Sequence, residues 1–259
     1  MRRLAREFPP GARPPASEGG AGQRPPSFLL LAMEELNPSH YPATRAARVV
    51  ENYVNYREGS PHRFFLKEKV TQASKEVIAG VGHKYCLRFS IKEEIGNKSI
   101  VNCTAEVLYH LQDPSLAPEV NVTLDRDLEK HTEDADNKFY NKMKNLEIPI
   151  EAHTIPDNFG NVQPEMEPIR ILAFVACGYV IWQNSTEDTL YSMARIETVK
   201  QVKREDEFIE FNYTVLLHDF VSQEMIPWQL QVLWHPQHGT EVKQNKRLPK
   251  RCACQKTCE

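Results

Sequence analysis

The sequence predicts an α+β protein built from two copies of one module, each a helix packed on a curved four-stranded antiparallel sheet, joined by a linker helix. Three observations carry this expectation. The chain aligns with itself at an offset of 126 residues. Within each copy one helical periodicity is followed by four stretches with strand periodicity. Apolar residues make up 41% of the 259 residues, enough for one large or two small cores.

The repeat comes first, because missing one misassigns a whole fold. At the offset of 126, Tyr53-Val54-Asn55-Tyr56 falls on Tyr179-Val180-Ile181-Trp182, and Val70 falls on Ile196. Tyr85, Leu87, Phe89 and Ile91 fall on Phe211, Tyr213, Val215 and Leu217, four alternate apolar positions in both copies. After one deletion the offset is 125, and Glu106–His110 falls on Gln231–His235. Three matches in order at nearly one offset argue for duplication.

Each copy opens with a helix. Pro42 begins the first, where its missing N–H costs nothing. Ala43, Ala46, Ala47, Val50 and Val54 then lie on one stripe, and Gly59-Ser60-Pro61 ends it. Pro168 begins the second, with Glu165 and Glu167 near its positive end. Its run Ile171–Trp182 is apolar nearly all round, which predicts a helix buried on several sides and too short to span a bilayer.

Strands are expected over 62–72, 83–94, 99–110 and 118–124, and again over 189–203, 206–219, 226–235 and 239–244. Four strands joined by short turns make an antiparallel sheet with one face to cover, and the preceding helix is the cover. Between the copies, Phe139, Met143 and Leu146 stand at helical spacing within the linker, and Ile155–Val162 reads as a turn-rich connection. The expected boundaries are a first domain over 33–125, a linker over 126–163 and a second domain over 164–250.

The ends differ from this body. Residues 1–32 hold six of the 18 prolines and a charge of +3 within a chain of −3, and they are expected to be a disordered extension. The apolar run Phe28–Met33 is short for a secretory signal. The tail over 251–259 carries Cys252, Cys254 and Cys258, too few thiolates for a tetrahedral zinc site. Cys86, Cys103 and Cys177 lie in apolar runs and read as small buried hydrophobes, which favours a reducing, cytoplasmic setting. Five N-x-S/T sequons, at Asn97, Asn102, Asn121, Asn184 and Asn212, are then expected to stay unmodified.

A pI near 6.3 gives no reason to expect nucleic acid or an anionic membrane as partner. No G-x-S-x-G, H-E-x-x-H, P-loop or G-x-G-x-x-G occurs. His110 and His235 occupy equivalent repeat positions, which points to a structural or inherited role rather than to one active site. The Glu205-Asp206-Glu207 cluster falls in an expected hairpin turn. The reading is a non-enzymatic protein without metal or cofactor, expected to be a monomer.

The helix-then-four-strands unit, with Glu76-Val77-Ile78-Ala79-Gly80 at a hairpin, resembles a cystatin domain, and Ile226-Pro227-Trp228 resembles the cystatin Pro-Trp hairpin. Two such domains joined by a helix resemble the latexin family of inhibitors of A/B-type metallocarboxypeptidases. The similarity runs over about residues 33–250 and includes Tyr41–Ala43, Gly82–Tyr85, Val101–Tyr109, Ile155–Val162, Ala176–Tyr179, Ile181–Asp188 and Leu233–Pro236.

The resemblance implies a reversible, non-covalent inhibitor of zinc metallocarboxypeptidases. It places the inserted element between the second and third strands after the second helix, over Asp219–Ile226. Ser222, Gln223 and Glu224 would form the tip, with Gln223 inserted, because a neutral amide donates and accepts without burying a charge. Val221, Met225 and Trp228 would form the apolar rim or support. Two other readings stand beside it: a cystatin-type inhibitor of papain-like cysteine proteases acting through Val77–Gly80, and a non-inhibitory interaction scaffold.

Overall fold

The computed structural model describes residues 33–249 apart from 96–97, 114 and 129–130. The amino-terminal extension, the Cys-rich tail and the Asn97 sequon lie outside the described residues.

The chain begins with β1 (Glu34–Leu36) and α1 (Tyr41–Glu58), then β2 (Phe65–Ile78), β3 (Gly82–Glu93), β4 (Ile100–His110) and β5 (Glu119–Leu124). After α2 (Glu133–Lys144) come β6 (Glu151–Ile155), one 3-10 turn, and α3 (Glu167–Asn184). The chain then forms β7 (Tyr191–Val202), β8 (Ile209–Asp219), β9 (Glu224–His235) and β10 (Gly239–Arg247). Two antiparallel sheets result, ordered β1-β2-β3-β4-β5 and β10-β9-β8-β7-β6.

Each sheet therefore has five strands, not the expected four. The additional strand is β1 in the first sheet and β6 in the second, each antiparallel to the strand that follows its helix. Both are short and polar (EEL and EAHTI), with at most one buried residue. An edge strand is held by backbone hydrogen bonds along one side, so its sequence need not alternate. β6 falls inside the stretch read as linker, and the full repeat is β-α-β-β-β-β.

Alternation positions the strand side chains. In β8, Ile209, Phe211, Tyr213, Val215 and Leu217 face α3; in β3, Tyr85, Leu87, Phe89 and Ile91 face α1. Cys103 and Cys177 are buried free thiols, and burial pushes the Cys103 thiol up to about 12. Cys86 departs from the expectation: between Tyr85 and Leu87 it points to the other face of β3 and is only half-buried.

The two helices lie antiparallel between the sheets. Tyr53 meets Trp182 and Tyr56 meets Tyr179, both with ring centroids 4.9 Å apart. Tyr53 and Tyr179 are repeat equivalents, as are Tyr56 and Trp182, so the two contacts are copies of each other. The interface between the halves is thus a pseudo-twofold one, with the same patch presented from each side. α3 serves both cores: Leu172, Ala176 and Val180 belong to the second, while Trp182 packs against the first and donates its indole N–H to the Pro118 carbonyl at 2.8 Å. That double duty is why its sequence is apolar nearly all round.

α2 also touches both halves. Asp136 Oδ1 lies 2.9 Å from His62 Nδ1 in the loop after α1, while Phe139 and Met143 enter the second core and Phe139 packs on Trp234 at 5.7 Å. Glu187, in the loop after α3, forms a polar joint across the halves. It lies 2.8 Å from His83 Nδ1 and 3.4 Å from Lys75 Nζ, and its backbone carbonyl accepts from Arg45 at 2.9 Å. Desolvation opposes the Glu187 charge, but hydrogen bonds from His83 and Tyr85 and the Lys75 charge outweigh it and hold the carboxyl below its ordinary range.

Candidate functional site: the β8–β9 hairpin

β8 and β9 pair through Asp219↔Glu224, and Phe220, Val221, Ser222 and Gln223 form the turn between them. The turn is organised from below by Asp219. Its Oδ1 accepts from the backbone N–H of Val221 at 3.1 Å and of Leu190 at 3.4 Å, and its Oδ2 accepts from the Ser222 hydroxyl at 2.7 Å. An aspartate that accepts from the backbone two residues on is a standard way to fix a turn. Desolvation of Asp219 is outweighed by these donors, Ser222 first, so its pKa is lowered. Phe220 N–H donates to the Leu190 carbonyl at 2.9 Å, tying the turn to the loop before β7.

Of the expected site residues, Ser222, Gln223, Val221 and Met225 are exposed. Gln223 has φ +59, a left-handed conformation that side chains adopt at a cost of roughly 1–2 kcal/mol. Its amide Nε2 donates to the Phe220 carbonyl at 2.7 Å, so in the free protein it helps close the turn. Glu224 starts β9, half-buried, with its carboxylate 4.0 Å from Arg247 of β10.

Trp228 is only 9% exposed and belongs to the second core. Pro227 and Trp228 lie within β9, opposite Leu216 and Val215, and do not form a hairpin of their own.

Two residues within the expected loop had no role assigned to them from the sequence. Asp219, taken as the loop's boundary, is its organiser; an aspartate followed two and three residues later by donors is the signal. Phe220 is half-exposed and packs at a tilt on the His218 ring with centroids 4.4 Å apart, so it extends the apolar tip beyond Val221 and Met225. Behind the tip, on the outer face of the sheet, Leu216, Met225, Pro227 and Leu248 line a groove of about 290 Å³.

The Val77–Gly80 element also forms a tight turn, between β2 and β3, with Gly80 at φ +73. It stands at the strand ends opposite to the β3–β4 connection, the repeat counterpart of the β8–β9 hairpin. Among the described residues no group of three or more His, Cys, Asp or Glu could hold a metal, and no helix is long and apolar enough to cross a membrane.

The fold is α+β and consistent with a pair of cystatin-like modules stacked through their helices. A family model described as Latexin matches residues 36–252. Mouse latexin is 59% identical over 216 residues, covering 83% of this chain and 97% of that protein. Human latexin is 58% identical over the same shares. Human retinoic acid receptor responder protein 1 is 33% identical over 207 residues, covering 77% of this chain and 70% of its own. The chain belongs to the latexin family. Membership implies protease inhibition as the class of function.

Proposed function

We propose that the protein is a reversible, non-covalent inhibitor of zinc metallocarboxypeptidases of the A/B type, and that the β8–β9 hairpin is the element it inserts. The observation that carries this reading is the pre-organised, exposed tip Phe220–Gln223 held by Asp219. A metallocarboxypeptidase reads a free C-terminal carboxylate at the bottom of a funnel beside its zinc. A closed turn offers no C-terminus, so it fills the funnel without presenting a scissile bond in register. Gln223 is the inserted side chain: its amide exchanges the Phe220 carbonyl for partners in the enzyme, with no charge to desolvate. Val221, Met225 and Phe220 pack on the rim, and Trp228 keeps the hairpin upright from the core. Little ordering entropy remains to be lost on binding, because the turn is already fixed.

The test is titration against an A-type metallocarboxypeptidase with papain in parallel. Stoichiometric block of the carboxypeptidase alone is the expected result; no block of it overturns the reading. One observation favours a second reading. Val77, Val81, Leu111 and Leu116 are exposed at one end of the first sheet, and Gln112 Nε2 donates to the Gly80 carbonyl at 2.7 Å, joining the two loops into one apolar edge. That edge suits the cleft of a papain-like cysteine protease. Block of papain that is lost on Val77→Asp would establish it.

A further inference from the structure

The turn after β6 is not used by the hairpin. Asp157 Oδ1 accepts from the backbone N–H of Phe159 at 2.9 Å and of Asn161 at 2.8 Å, and Asn161 Nδ2 donates to Oδ2 at 3.2 Å. The Asp157 N–H donates to the Asn161 carbonyl at 2.9 Å, and the Gly160 N–H to the Asp157 carbonyl at 3.0 Å. Gly160, at φ +86, supplies the left-handed step that closes the turn. Val162 and Met166 anchor the following chain on the second core. On this frame Phe159 is 91% exposed, the largest value among the exposed large apolar side chains of the described residues.

Sheet register fixes which way β6 runs toward this turn. Ile155, the last residue of β6, is opposite Ile196. Beyond it the chain heads toward the start of β7, where Tyr191 is paired with Asp219, the base of the hairpin. β6 thus leaves the second sheet pointing toward the end that carries the hairpin, and the Phe159 turn follows it. β6 and β8 are separated by β7, so the axes of these two strands lie two strand spacings, about 10 Å, apart. One interface of ordinary size, about 800 Å² per partner, spans both.

We propose that Phe159 is a second anchor of the enzyme-binding face, seated on an apolar patch of the metallocarboxypeptidase rim while the β8–β9 hairpin fills the funnel. The inference rests on the inhibitory reading above. A single exposed apolar side chain is ordinary on a protein surface. An aromatic held out on a hydrogen-bonded frame, beside an insertion element, is the arrangement of a binding hot spot, because a ring with two side-chain torsions on a fixed backbone loses little entropy on burial.

The experiment titrates wild type, Phe159→Ala, Phe159→Tyr and Asp157→Ala against an A-type metallocarboxypeptidase. It also follows backbone amide exchange over 157–161 in the complex. Phe159→Ala is expected to raise the inhibition constant about tenfold or more, chiefly through faster dissociation, with an unchanged melting temperature. Phe159→Tyr retains potency, Asp157→Ala loses part of it by loosening the frame, and the turn gains exchange protection on binding. Equal potency of Phe159→Ala and wild type, both inhibiting, overturns the anchor and leaves the inhibitory reading intact. A wild type that does not inhibit overturns both.

Discussion

The carbonyl oxygen of Asn52 lies 2.6 Å from where a Cβ on Gly178 would stand. These two residues are each other's repeat equivalents, so the contact sits on the pseudo-twofold axis relating the halves. Along that axis one helix backbone rests directly on the other, and one of the two partners has to be glycine. Gly178→Ala is therefore expected to push α1 and α3 apart. The helix-propensity gain of alanine, about 1 kcal/mol, is outweighed by the overpacking cost, typically about 1–3 kcal/mol and larger where backbone is the obstacle. Chemical denaturation measures it; an unchanged or raised midpoint would show that the helices can separate freely.

Gln223→Ala removes the amide that closes the tip and, in the proposed mode, enters the funnel. Weaker inhibition with unchanged folding is expected, because Gln223 is exposed and contributes nothing to either core. Titration beside a melting curve checks both halves of the statement. Equal potency of variant and wild type would remove Gln223 from the inserted element.

Asp219→Ala leaves the Val221 and Ser222 donors of the turn without their acceptor. Potency should fall while core stability drops by only about 1–2 kcal/mol, the usual scale for a lost capping side chain. The folded pKa of Asp219 is lowered, so its contribution is present above the ordinary carboxylate value, near 3.9, and is lost as pH falls through the folded value. Amide exchange at Val221 and Ser222 should rise in acid ahead of exchange in the core. A turn that stays protected wherever the core does would contradict this.

Glu187→Gln keeps the shape of the polar joint and deletes the charge. Hydrogen bonds to a charged group are worth about 1.5–3 kcal/mol, and partial exposure of this site places the expected loss at the lower end. The wild-type carboxyl is held below its ordinary value, so its contribution is present above the unfolded pKa, near 4.3, and disappears as pH falls through the folded one. The stability difference between wild type and Glu187→Gln should shrink toward acid pH. A difference that is constant with pH would show that the joint works through shape alone.

Much of this was legible in the sequence because period and repetition are local signals. The alanine and valine stripe of α1, the alternation of Tyr85 to Ile91 and Phe211 to Leu217, and the offset between the copies gave the helix-on-sheet modules and their core faces. The all-round apolar α3 showed that something would cover both its sides. β1 and β6 left no such trace, because an edge strand is chosen by the neighbour it pairs with. Cys86 looked buried because composition does not say which way a single residue points; the pleat does.

The hairpin was placed through family resemblance, and within it the tip residues were readable as polar turn formers. What those residues do in the folded chain was not. Whether Gln223 points out or bonds to Phe220 is decided within the turn itself, three residues apart, by a backbone geometry that composition does not encode. Whether Trp228 reaches a partner or the core, and which end of the sheet β6 points to, depend on register between segments tens of residues apart. The sequence by itself determined which stretches are helix or strand and that they occur twice, since those follow from side-chain period. Only the tertiary structure decided that the copies stack through antiparallel helices about the Asn52–Gly178 contact. That arrangement is selected by how closely two backbones can approach, a distance no local pattern encodes.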